Sequence, residues 1–518
     1  MEDESRGTLS VWSFLNGPVP RLAQPFFLGC TVVYLYLQQF ALPWTPILLA
    51  GDPGIFLAEA QRMLRGEMPY RDFFQFLTPG IDVVYYLLFR IFGPSAFVVS
   101  ASLVAAGLCA TILMLHISRR VLRGWLVFLP PLLYLTLTLS RELQAVHHLF
   151  SALAVMAAVG ILIEQRTPKR LALAGVFCAI ASFFTQTRGL FALAGLAAFV
   201  LWEGLSTKSD GRAVWRREAA LVAAYAVVLA ALLLPFARMA GLRTLVDSIV
   251  VFPVRYYGAR PCNSLDVYLS EPVLPVPWWR FPLFVDWVLL HALLPLAYVL
   301  GLFRFLRERE QKERPAAGVM LMCFVGIALC AEVARSPSYH HLQWVSFPVF
   351  IVLAWLVRGP GRATAGIIAA LAALALLFLI PGAWKVQHSV CATMRLPVGN
   401  VAFRDRDYYD QCAWLASRTR PGDFLMGDSF PYLFALGLRN PARVQFLTTT
   451  GYTRPDQIAD VLQKLKQKRV RFVVLEAAQC EGQSLEAARL RPVCSFICEH
   501  YRRVMVPAFL EVQVWELR

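Results

Sequence analysis

The 518-residue sequence predicts a polytopic α-helical membrane protein, with interfacial helices and a small C-terminal α/β domain. Three observations carry the prediction. First, 58% of residues are hydrophobic and only 16% charged, with mean hydropathy +0.54. A soluble chain of this size cannot bury so much apolar surface, because its exterior needs polar cover. Second, runs such as AALVAAYAVVLAALLLPFA, from Ala219 to Ala237, are long enough as helix to cross ~30 Å of hydrocarbon. Third, beyond Trp384 the pattern changes to short strands and amphipathic helices. The net charge of +16 does not indicate a nucleic-acid partner, because Lys and Arg gather in short loops between spans.

In chain order, the N-terminus MEDESRGTLSVWSFLNGPVPR begins acidic, and no small-residue cleavage site follows the first apolar run. That run is read as a retained span, leaving 1–25 as a cytoplasmic N-terminus. Apolar segments of spanning length lie near 26–49, 95–117, 124–140, 145–163, 169–186, 189–205, 217–240, 283–304, 316–335, 339–358 and 363–384, about eleven transmembrane helices in all. Basic clusters set the orientation: Arg119, Arg120 and Arg123; Arg166, Lys169 and Arg170; Lys208, Arg212, Arg216 and Arg217; Arg304 to Arg314; Arg358 and Arg362. With these in the cytoplasm, the loops 50–94 and 241–282, the turns near 140–148, 186–188 and 335–341, and the tail 385–518 face outward. Counting Ile81–Phe92 as a span would reverse every later basic loop. At about a dozen residues, with Asp82 and Arg90 inside, it reads as an interfacial helix. Pro53–Gly66 reads as another, with Phe56, Leu57, Ala60, Met63 and Leu64 on its apolar face and Glu59, Arg62 and Arg65 opposite.

In the tail, DFLMGD, RVQFLTT and RFVVLEA read as strands, and PYLFALGL and PDQIADVLQKLKQK as helices. Cys262, Cys391, Cys412, Cys480, Cys494 and Cys498 fall on the outer side, where disulfides are permitted. No CxxC, zinc-finger spacing, Walker loop or strand-linked GxGxxG is present, so no cofactor is indicated, although a divalent metal is not excluded.

Because spans exclude charge, polar residues at their outer ends carry the information. Asp52, Arg71 and Asp72, then Arg141, Glu142, His147 and His148, then Gln186 and Arg188, and finally Glu332, Arg335, Tyr339, His340 and His341 share one membrane level. Each also has a plainer reading. Asp52 before Pro53 suits a helix N-cap. Arg71–Asp72 suits a local ion pair. The histidine pairs, Arg188 and Arg335 suit interfacial side chains with wet tips.

The stretch from Asp52 to Gly93 reads D-x-G-I-x-x-A, R-x-L-x-G-x-x-P-Y-R-D-F-F and T-P-G, followed by an apolar aromatic run ending in F-G. This resembles the GT-C superfamily of membrane glycosyltransferases, in particular the branch of protein O-mannosyltransferases and lipid A aminoarabinose transferases. The matching residues are Asp52, Gly54, Ile55, Ala58, Arg62, Leu64, Gly66, Pro69 to Phe74, Pro79, Phe92 and Gly93. Fainter echoes are SRELQAVHHLF around Glu142, FFTQTRGL around Arg188 and SYHHLQWVSFP around His340. The sequence departs where the family has Asp-Glu, here Asp52-Pro53, and where it has Lys-Pro-Pro, here Thr78-Pro79-Gly80.

The resemblance implies inverting transfer of a sugar from a polyprenyl-phosphate donor to an acceptor hydroxyl on a protein, lipid or glycan, at the outer face of a bacterial inner membrane. It implies Asp52 as general base, with Glu142 as a second catalytic carboxylate. Tyr70, Arg71, Asp72, His147, Gln186, Arg188, Arg335, His340 and His341 would contact substrate, with no metal assigned. Since Thr78 stands where the family has lysine, Arg71, Arg188 or Arg335 would have to meet the donor phosphate. A secondary transporter or flippase fits less well, since its charges belong near the bilayer midplane in paired halves. A noncatalytic receptor or scaffold would leave Asp52 without a task.

Overall fold

The computed structural model describes residues 17–257, 294–310, 317–334, 338–359, 362–427, 430–445, 453–476, 487–509 and 512–518, with single positions 281, 285, 288 and 447. Helix α1 (Ala23–Gln39) leads through the short antiparallel pair β1 (Phe40–Ala41) and β2 (Thr45–Pro46) to α2 (Pro53–Leu64) and α3 (Gly80–Phe92). The bundle continues with α4 (Ala96–Val121), α5 (His147–Leu162), α6 (Pro168–Phe184), α7 (Gln186–Ser206) and α8 (Gly211–Ala240). It closes with α9 (Leu294–Glu310), α10 (Ala317–Val333), α11 (Tyr339–Val345), α12 (Phe347–Leu356) and α13 (Arg362–His388). Among the described residues, α4, α7, α8 and most of α13 are long and apolar enough to cross a membrane, and α5, α10 and α12 are shorter apolar helices. The chain is an integral membrane protein.

Helix α5 packs on α6, α6 on both α7 and α8, and α7 on α10, while α13 returns to lie beside α1. Two glycines set the closest approaches. A Cβ on Gly80 would lie 2.4 Å from the Phe183 carbonyl, and one on Gly189 would lie 2.2 Å from that of Cys178. Both sites therefore admit no side chain.

After α13 the chain forms the hairpin β3 (Ala392–Leu396) and β4 (Gly399–Phe403), then α14 (Arg406–Ala416), β5 (Leu425–Gly427) and α15 (Phe430–Leu436). It ends with α16 (Pro455–Gln467), β6 (Phe472–Glu476), α17 (Ala487–His500), β7 (Tyr501–Val504) and β8 (Val512–Leu517). The sheet order is β5-β6-β8-β7, parallel between β5 and β6 and antiparallel elsewhere.

The structure corrects four expectations. The first apolar segment does not run as helix to 49: it ends at Gln39, and Leu48 instead donates its N–H to the Ala402 carbonyl at 2.9 Å, docking β4. RVQFLTT is not a strand where it is described, because Ala442–Gln445 are bends. On α2, Glu59 and Arg62 do not face outward. They are 1% and 4% exposed, because α15 and the 440–445 loop cover that side. Arg62 Nη1 donates to the Ala442 carbonyl at 3.0 Å, and only Arg65 of the three charges is exposed. On α3, Asp82 is fully buried rather than interfacial. For Leu48 and Arg62 the C-terminal elements supply polar partners, the carbonyls of Ala402 and Ala442, that no local pattern announces. Of the six cysteines expected on the outer side, Cys494 is disulfide-bonded and Cys391, Cys412 and Cys498 are free, while Cys262 and Cys480 lie outside the described residues.

Candidate active site at the loop end of the bundle

Six chain segments meet at one end of the bundle. Asp52 stands at the start of α2, but its side chain makes no cap hydrogen bond; only its backbone carbonyl accepts, from Ile55 N–H at 3.0 Å. Its carboxylate is exposed to water yet surrounded closely enough by protein that lost hydration raises it above the ordinary carboxylate range. The charges of His340 and His341 pull the other way.

Glu142 arrives by an irregular route. The helix Leu129–Leu133 opens into a π-helical stretch, Tyr134–Leu139, before the short turn Ser140–Glu142. A π-turn leaves backbone groups out of register. Gln343 Nε2 donates to the Leu137 carbonyl at 2.9 Å, and Thr138 shares a hydrogen bond with Ser346 at 3.1 Å. So anchored, Glu142 is nearly buried and bonded through Oε1 to Nδ1 of the exposed His340.

The histidines of α5 lie beside this pair. His147 Nδ1 shares a hydrogen bond with Thr185 Oγ1 at 2.8 Å, and its ring meets Phe56 edge-on with centroids 5.7 Å apart. His148 lies 5.3 Å from His341, centroid to centroid. Thr185 alone separates α6 from α7, in extended geometry, and this puts Arg188 in the first turn of α7. Arg188 is 1% exposed. Its Nε pairs with Glu332 Oε2 at 3.3 Å and its Nη1 donates to Ser151 Oγ at 3.3 Å. Nη2 has no acceptor among the described residues. Gln186 Nε2 bridges the carbonyls of Phe76 and Ile249 at 3.1 and 3.2 Å.

No protein-family model matches the sequence, and no curated protein matches it by sequence. Solved structures do match by fold. ArnT from Cupriavidus metallidurans, solved bound to undecaprenyl phosphate, superposes with TM-score 0.60 over 95% of this chain and 97% of its own, at 13% identity. The chain has the GT-C fold. The oligosaccharyltransferase AglB from Archaeoglobus fulgidus, solved with an inhibitory peptide and a dolichol-phosphate, superposes with TM-score 0.56 at 11% identity, covering 96% of this chain and 75% of that one. At such identities it is the fold that is shared.

Within this GT-C fold, the structure links Asp52, Glu142, His147, His148, Arg188, His340 and His341 into one constellation, with Gln186 at its edge. Tyr70, Arg71 and Asp72 are engaged elsewhere. The Tyr70 hydroxyl is taken up by the Leu77 carbonyl at 2.6 Å, and Arg71 pairs with Asp72 at 2.6 Å, whose Oδ2 also accepts Met68 N–H. Arg335 lies outside the described residues. Sequence reasoning missed Thr185, Ser151 and Phe56 as neighbours of the histidines, since a hydroxyl or ring inside an apolar run gives no periodic signal. Among the described residues no group of three His, Cys, Asp and Glu is disposed to hold a metal ion.

Proposed function

We propose that the protein is an inverting glycosyltransferase that moves a sugar from a polyprenyl-phosphate donor to an acceptor hydroxyl at the outer face of the membrane. The observation that carries the reading is the Asp52 carboxylate. It is accessible, it does not cap its helix, and the charges of His340 and His341 on α11 act on it. An acceptor hydroxyl is a poor nucleophile until a base takes its proton, and a carboxylate raised above its ordinary range is a better base for that task. The activated oxygen attacks the anomeric carbon opposite the phosphate and inverts it. The leaving polyprenyl phosphate gains charge on its bridging oxygen, which the positive charge of the buried Arg188 stabilises. The Glu142–His340 pair orients the acceptor or the sugar. As drawn, the step needs no cofactor.

Two further points support the reading. The GT-C-fold neighbours named above were solved with undecaprenyl phosphate and a dolichol-phosphate. The basic clusters between the apolar runs support an orientation with the site and residues 385–518 outside a bacterial inner membrane and the spans within 26–384. The test is transfer by purified protein from radiolabelled polyprenyl-phosphate sugars to cell-envelope extract, with Asp52→Asn as control. Labelled product from wild type and none from Asp52→Asn supports the proposal, and no product from any donor overturns it. A transporter would instead move label across sealed vesicles without forming product, and a scaffold would be indifferent to Asp52→Asn.

A further inference from the structure

Beneath α2, away from the rim constellation, lie two carboxyl groups that the proposed chemistry does not use. Glu59 on α2 is 1% exposed and Asp82 on α3 is 0% exposed. Among the described residues neither forms an ion pair, although the charge of Arg62 acts on Glu59. Arg62, the nearest, is bonded to Glu67 at 2.7 Å, donates to the Ala442 carbonyl and lies over the Phe73 ring at 4.7 Å. The Tyr70 hydroxyl is committed to the Leu77 carbonyl, and from the C-terminal unit the neutral Gln445 faces Glu59.

The protonation pattern follows from Gln75. Its Oε1 accepts the N–H groups of Phe76 and Leu77 at 2.9 and 3.1 Å, which fixes the amide so that Nε2 donates to Glu59 Oε2 at 2.6 Å. Glu59 is therefore an acceptor. Neither Asp82 oxygen has a hydrogen bond of ordinary length among the described residues, and the groups acting on it are Glu59 and the Gln75 amide, whose Nε2 is committed to Glu59. Two ionised carboxylates buried together would repel with the Arg62 charge, already bonded to Glu67, as the counter-charge acting on Glu59, whereas one proton between them satisfies both.

We propose that Glu59 and Asp82 share one proton, with Asp82 donating to Glu59, and that this pair positions Asp52 by clamping α2 between α3 and the C-terminal unit. Glu59 lies seven residues after Asp52, two helical turns along the same face, so a shift of α2 at Glu59 is transmitted to its first residue. Burial raises both carboxyls above the ordinary range, and the Glu59 charge raises Asp82 further. Asp82 is a positioning residue, and its role in transfer rests on the function proposed above.

The test separates the clamp from the chemistry. A carboxyl protonated in the folded state but ionised in the unfolded state, above about pH 4, gives stability that is fully present at low pH and lost as pH rises towards its folded pKa. Over pH 5–8 the folded-to-unfolded ratio of the purified chain in mild detergent is expected to fall about tenfold more per pH unit in wild type than in Asp82→Asn. The variant keeps a neutral donor but cannot ionise. Parallel pH profiles for the two proteins overturn the shared proton, whether or not sugar transfer is ever observed. In the transfer assay, Asp82→Leu is expected to lower kcat at least tenfold and Asp82→Asn to restore most of it. Equal loss in both variants overturns the positioning role, and if Asp82→Leu does not fold, loss in Asp82→Asn alone does so.

Discussion

Replacing Arg188 by methionine tests the framework of the site through one buried interaction. The guanidinium is 1% exposed and holds Glu332, whose side chain is 7% exposed, at 3.3 Å, besides donating to Ser151. Methionine fills much of the stem volume but leaves Glu332 with the Thr187 hydroxyl, at 2.8 Å, as its donor among the described residues. Stranding one charge of a buried pair costs about 3–5 kcal/mol, most of it the desolvation of the partner left behind. The double variant Arg188→Met/Glu332→Leu removes both charges and is expected to recover to within about 1 kcal/mol of wild type, since apolar replacement of a buried pair is often neutral. The assay is equilibrium unfolding of purified protein in mild detergent by chemical denaturant, compared as a double-mutant cycle. A single-variant cost below about 1 kcal/mol, or additive effects in the cycle, would refute the claim that Arg188 and Glu332 form a buried pair bracing α7 against α10. The double variant is also expected to lack transfer while remaining folded, which separates bracing from phosphate recognition.

Three other outcomes follow from the same geometry. Asp52→Asn is expected to change stability by less than about 0.5 kcal/mol, because no side-chain cap is lost, yet to lower turnover at least ~100-fold. Transfer by wild type is expected to fail as pH drops through the raised Asp52 pKa, at a pH above the ordinary carboxylate value of about 4, because the base must be ionised; a flat rate down to pH 4 would remove Asp52 from that role. Gln343→Leu, which strands the Leu137 carbonyl in the π-helical stretch, is expected to destabilise by about 1–3 kcal/mol in the same unfolding assay and to weaken the placement of Glu142.

The opening of the site was legible in the linear chain. Asp52, Glu142, the two histidine pairs and Arg188 each end or begin an apolar run, and charge at such a position stands out against the hydrocarbon-length segments beside it. A turn near 186–188 was visible as a break between two spans, and the structure sets that break at Thr185. What did not show was partnership. Tyr70, Arg71 and Asp72 belong to the same ordered motif as Asp52, yet their polar groups are spent on each other and on nearby backbone. Periodicity put Glu59 and Arg62 on the polar side of α2, which is correct as a direction, but that side is covered by α15 and the Ala442–Gln445 loop.

By itself, then, the sequence determined the membrane class, the long apolar helices and the positions of polar residues at their ends, because burial in hydrocarbon imposes long apolar runs that any window detects. Only the tertiary structure decided which of those polar residues meet, and that Glu59 and Asp82 are buried together with no ion pair among the described residues. Contacts between residues hundreds of positions apart, such as Glu142 with His340 or Arg62 with Ala442, depend on how helices pack and leave no local pattern.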